Sequence, residues 1–178
     1  MKHVDVLTFW FQETAGTQHF AKDTVFDARV KERFLETYCA IVRGEVSSWR
    51  DTPQGRLAEI IVLDQFARNM FRNQAQAFLY DPLALALAQE AIRTGDDLKL
   101  DVQQRAFVYM PFMHSESAKV HAEAMPLFVR LGEAQTLKYE QAHKAIIDRF
   151  GRYPHRNQVL GRLSTEEEIE FIRENKGF

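Results

Sequence analysis

The stretch from Ile60 to Arg72 constrains the fold of this chain more than any other, because it is apolar nearly all round and yet carries charge. Leu57, Ile60, Ile61, Val62, Leu63, Phe66, Met70 and Phe71 give it the pattern of a helix enclosed by other helices. Asp64, Gln65, Arg68, Asn69 and Arg72 nevertheless share one face. At about 100° per residue, Asp64, Arg68 and Arg72 continue the stripe that Leu57 and Ile61 occupy one or two turns earlier. Polar groups taken out of water need hydrogen-bond partners. The rest of the chain must supply acids, carbonyls, water or a ligand, so this face is the first candidate for the wall of a site.

A chain of 178 residues that is 46% hydrophobic can bury a large core, and a single domain over residues 1–178 is expected. Val4 to Phe11 reads as a buried first helix and Gln12 to Lys22 as a loop. Asp23 is placed to cap a helix to about Arg43, with Val25, Phe26, Val30, Phe34, Tyr38 and Ile41 at helical spacing. Thr52-Pro53 pairs a capping threonine with proline at the first helical position, opening the helix that holds the polar stripe. Asp81-Pro82 and Gly95 bracket the next, where Ala84, Ala86, Ala88 and Ala91 permit close contacts. Asp101 caps a helix that Pro111 stops or kinks. Glu116 to Leu131 and Leu137 to Phe150 follow, closed by Gly132 and Gly151, and Ser164-Thr165-Glu166-Glu167 reads as a capping box for a last helix to about Asn175. No stretch alternates as a strand does. The expected fold is all-α, with antiparallel helices stacked in chain order.

Lysine and arginine number 23 against 25 acids, a formal charge of −2, so neither nucleic acid nor a membrane surface is expected as partner. The one cysteine, Cys39, excludes an internal disulfide and fits a reducing compartment. No run approaches the ~20 apolar residues that span a bilayer, and the N-terminus lacks a leader pattern, so a soluble cytoplasmic protein is expected. No histidine spacing forms His-Glu-x-x-His, and no metal or cofactor is expected.

Three groups of residues bear on chemistry. Asp64 and Arg68, four apart, can bridge on one helix face as a structural ion pair or as part of a catalytic carboxylate site. His114, beside Ser115 and Glu116 at a helix junction, reads as a hydrogen-bonded histidine with capping neighbours or as a base. Arg149, Arg152, His155 and Arg156 gather cationic donors around a glycine and a proline-started turn; they form an anion site or pair with surface acids.

Ile61-Val62-Leu63-Asp64-Gln65-Phe66 followed by Arg68-Asn69-Met70-Phe71-Arg72 resembles the bacterial domain-of-unknown-function family 924, commonly placed in the tetratricopeptide-like superfamily. Three further blocks agree in order: Val6-Leu7 with Phe9-Trp10-Phe11, Tyr109 to Glu116, and Arg149 to Asn157 running into Leu160-Gly161-Arg162. The chain departs from the family at Ala67, where proline is usual, at Asn73-Gln74, where glycine and a small polar residue are usual, and at His19, where tryptophan is expected. The resemblance implies an all-helical, tetratricopeptide-like fold and no stated activity.

Taken together, the expected pocket joins the polar helix, the His114 junction and the His155 turn, with Asp64, Gln65, Arg68, Asn69, Arg72, His114, Glu116, His155, Arg156 and Asn157 as ligand-binding candidates. A binding role for a small anionic molecule or a peptide carboxylate is preferred, because no nucleophile motif is present. The alternative is a hydrolase with His114 or His155 as base and Asp64 orienting it.

Overall fold

In the computed structural model, which describes residues 1–175, the chain is all-α, with no strand among those residues. Helix α1 (His3–Thr8) runs into a π turn over Phe9–Glu13, where the Thr14 hydroxyl donates to the Phe9 carbonyl at 2.7 Å. Asp23 starts α2 (Thr24–Val42) by accepting from the amides of Val25 and Phe26. Phe26, Val30, Phe34, Tyr38 and Ile41 turn inward, whereas Val25 is corrected to a solvent position, because it lies about 100° round the helix from the buried Phe26.

Thr52 accepts from the Gly55 amide to begin α3 (Pro53–Ile61). The rod continues through a π turn, Val62–Phe66, into α4 (Ala67–Met70). Leu57, Ile60, Ile61, Leu63 and Phe66 have no solvent contact, as an enclosed helix requires. Rings from two other segments meet over it: Phe34 packs 4.7 Å and Trp10 5.3 Å from Phe66, and Phe9 4.9 Å from Phe34. Such rings carry most of the apolar area of a helical core.

Helix α5 (Asp81–Arg93) lays Ala84, Ala88 and Ala91 against α3, while Ala86 faces solvent. Asp101 caps α6 (Val102–Met113), and that helix runs through Pro111 rather than ending there. Ser117, not Ser115 or Glu116, caps α7 (Ala118–Leu131) through the Val120 amide. Gly132 and Gly151 take φ of 79° and 68°, where a side chain would be strained, and close α7 and α8 (Ala134–Phe150). The last box lies one residue later than expected: Thr165 and Glu168, rather than Ser164 and Glu167, cap α9 (Glu166–Glu174). Helices α5 to α8 pack in chain order, each on the next, and α6 also touches α3. Ile146, Ile147 and Tyr153 with Phe150 and Phe171 form a smaller cluster that pins the C-terminal segment. This stacking brings the π turn, the start of α5, the end of α6 and the turn after α8 to one place.

Candidate functional site

Asp64 is the floor of that place, its side chain 1% exposed. Its Oδ1 meets the His114 Nδ1 at 2.7 Å and lies 3.1 Å from the Arg68 Nη1, and its Oδ2 accepts from the Gln65 amide at 2.5 Å. Burial alone would raise this carboxyl, but the charge of Arg68 and the contact with His114 prevail and hold it well below the ordinary carboxylate range. Arg68 also donates to the Asp64 carbonyl at 2.6 Å and closes its fork on Asp81, at 3.0 and 2.9 Å. Asp81 is the first residue of α5, so the helix start and the ion pair are one feature.

Arg156 enters from the 3-10 turn Pro154–Arg156. Its Cζ lies 4.6 Å from the centroid of Phe78 and 4.5 Å from that of Tyr153, so the guanidinium packs against two aromatic rings. Its side chain is 7% exposed, and among the described residues its one hydrogen bond is a long one, from Nη1 to the Asp81 Oδ2 at 3.4 Å. Its Nε is buried without a partner.

The turn is held rigidly around these groups. Glu116 accepts the Tyr153 amide at 2.7 Å and the Arg162 fork at 2.7 and 2.9 Å. The Tyr153 hydroxyl donates to the Met113 carbonyl at 2.5 Å and lies 3.2 Å from the Nε2 of His121, whose Nδ1 is 2.7 Å from Glu140. His143 lies between the rings of His114 and Tyr153 and donates from Nδ1 to the Tyr139 carbonyl. Burial pushes His143 down to about 3, and burial with the nearby Arg68 charge lowers His114 against the pull of Asp64. His155 sits beside Tyr153 with its residue open to solvent, and desolvation and then Arg156 lower it as well. The imidazoles of His114 and His143 are therefore neutral near pH 7.

Of the residues expected from the sequence, the fold brings Asp64, Gln65, Arg68, His114 and Arg156 together, with His155 at the rim and Glu116 as a brace. The single-face reading of the polar helix is corrected for two of them: Asn69 and Arg72 both reach Asp27 on α2, at 2.8 Å and at 2.5 and 2.7 Å. Asn69 and Arg72 turn toward α2, where Asp27 takes both, while Arg68 keeps the face that Asp64 defines. Asn157 points the other way, to Ser164 and Glu168. Arg149 and Arg152 pair with Glu167 and Glu168, leaving Arg156 as the inward cation of that segment. Asp81, Phe78 and Tyr153 escape a sequence reading because each has an ordinary local explanation: a helix start, a loop aromatic and a tyrosine after an arginine. Among the described residues no cluster of three or more histidine, cysteine or acidic side chains is arranged to hold a metal, and no helix is long and apolar enough to cross a membrane.

Fold and centre together define a class: an all-α protein whose stacked helices close around a buried arginine-carboxylate-histidine cluster. The chain belongs to the family described as "Bacterial protein of unknown function (DUF924)", which matches residues 6–176. It is also similar to the solved structure of a protein of unknown function from Agrobacterium tumefaciens, with 36% identity over 97% of both chains and a TM-score of 0.92. No curated protein matches the sequence.

Proposed function

We propose that the protein binds a small anionic ligand at the centre formed by Arg68, Asp81, His114 and Arg156. One observation carries this reading: Arg156 is buried, lies against two rings, and has one long hydrogen bond for a group that carries five donors. Asp81 meets only one of those donors, and only at 3.4 Å, while Arg68 holds its two oxygens at 3.0 and 2.9 Å. Buried charges are ordinarily paired and hydrogen-bonded, so an anion at the rim, beside the partly open Arg68, Asp81 and His114, completes the set. Arg72, bound to Asp27, takes no part. In a calorimetric titration with inorganic phosphate and with benzoate, Arg156→Ala should weaken binding by about 1.5–3 kcal/mol, the range for hydrogen bonds to a charged group, with helical content unchanged. Unchanged affinity together with a lower Tm would make the arginine structural.

A second reading rests on the Asp64–His114 pair. Donation from Nδ1 to a buried carboxylate leaves the ring's lone pair on Nε2, the arrangement of a general base. In a hydrolase of this kind His114 would take a proton from water as the oxygen attacks an acyl carbon and return it to the departing alkoxide. Turnover of nitrophenyl esters that His114→Ala abolishes would support it, and turnover indifferent to that change would remove it.

A further inference from the structure

We propose that the anion taken by Arg156 is the single carboxylate of a small organic acid and not a phosphate, an inference that rests on the anion-binding reading and narrows its ligand. Charge is the first argument. Asp64 and Asp81 already match Arg68 and Arg156 in number, and His114 and His143 add no positive charge near neutrality. Glu116, also in electrostatic reach of Arg156, is taken by Arg162. A phosphate dianion would enter a balanced cluster and face two fixed carboxylates at close range. A monoanion brings one charge to the one cation that is weakly paired. Asp81 need not leave, because Arg68 keeps it with two bonds while its 3.4 Å contact with Arg156 is readily given up.

Shape is the second argument. Phe78 and Tyr153 lie against the Arg156 guanidinium, which presents its N–H groups along the edge of its own plane. Two coplanar carboxylate oxygens accept from such an edge as a fork. A phosphate can accept the same fork, but its remaining oxygens would stand beside the Phe78 and Tyr153 rings, whose π faces disfavour anions. The one hydroxyl nearby, that of Tyr153, is spent on the Met113 carbonyl. The ring of Phe78 is only partly buried and stands over Arg68 as well, so an apolar body attached to the carboxylate would lie against it.

The experiment is a calorimetric titration of the full chain at pH 7 and fixed ionic strength with benzoate, acetate and inorganic phosphate, on the wild type and on Arg156→Lys, which keeps the charge and loses the fork. Benzoate should bind at least about tenfold more tightly than phosphate, and Arg156→Lys should weaken benzoate by about tenfold or more, equivalent to ~1.4 kcal/mol. Phosphate binding as tightly as benzoate or more so overturns the carboxylate inference and leaves the anion site standing. Failure of all three ions to bind the wild type overturns both. Benzoate affinity unchanged in folded Arg156→Lys places the carboxylate elsewhere and overturns the inference. Should that variant not fold, the Arg156 Nε–H resonance of the wild type decides: a shift that saturates with benzoate but not with phosphate supports the inference, and no shift with benzoate overturns it.

Discussion

Asn73 shows how much a single residue can report. It adopts φ of 63°, the one non-glycine residue at positive φ among those described, at a position where the resemblance leads one to expect glycine. Asparagine tolerates this left-handed conformation better than other side chains, so the chain keeps the same turn after α4 without the glycine. Asn73→Ala should cost about 1 kcal/mol by denaturant unfolding, whereas Asn73→Gly should change stability by less than about 0.5 kcal/mol. Equal losses for both would mean that the side chain, not the backbone, matters there. Arg156 is legible in the opposite sense. Its residue type in a polar turn suggests an anion partner, but only the fold shows that Arg149 and Arg152 are neutralised by α9 while Arg156 is not.

At the scale of elements, the tightest constraint is the crossing of the Ser47–Asp51 turn over the start of α3. A Cβ built on Gly55 would lie 1.9 Å from the Trp49 carbonyl oxygen, a backbone atom that cannot swing aside. Gly55→Ala should therefore cost about 3 kcal/mol, the upper end of ordinary overpacking. A urea titration showing a loss under about 1 kcal/mol, small beside that, would mean that the two elements separate easily. Helix starts at Asp23, Thr52 and Asp101 and stops at Gly132 and Gly151 were legible because each rests on a local hydrogen bond or a local φ. The polar face was legible as far as Asp64 and Arg68. Its continuation through Asn69 and Arg72 was not, since their partner Asp27 lies on α2, 42 and 45 residues away in the chain, where no local pattern points to it. Of the two readings of Pro111, a stop is excluded, since the enclosed α6 continues through it to Met113.

For the whole molecule, the buried cluster ties stability to pH. The folded state holds His143 neutral, with its value near 3, while the unfolded chain binds a proton at about 6.5. Between those values the unfolded state carries more protons, so stability rises with pH there. The contribution is complete above about pH 6.5 and is lost as the pH falls toward 3. Asp64, held low by Arg68 and His114, adds a loss of the same sign below the ordinary carboxylate range. The Tm should fall continuously from pH 7 to pH 4, and His143→Gln should flatten the upper part of that slope. A Tm independent of pH over this range would mean that the histidine is not enclosed.

The central claim, that Arg156 is kept for a ligand and not for the fold, is tested most directly by the unfolding free energy of Arg156→Met with and without saturating benzoate. Methionine fills the space against Phe78 and Tyr153 without burying an under-paired cation, and replacing buried ionic groups by apolar ones is often neutral or stabilising. Without benzoate the variant should match the wild type or exceed it by about 1 kcal/mol, and benzoate should stabilise the wild type alone. A variant several kcal/mol less stable than a wild type that benzoate leaves unchanged would contradict that claim.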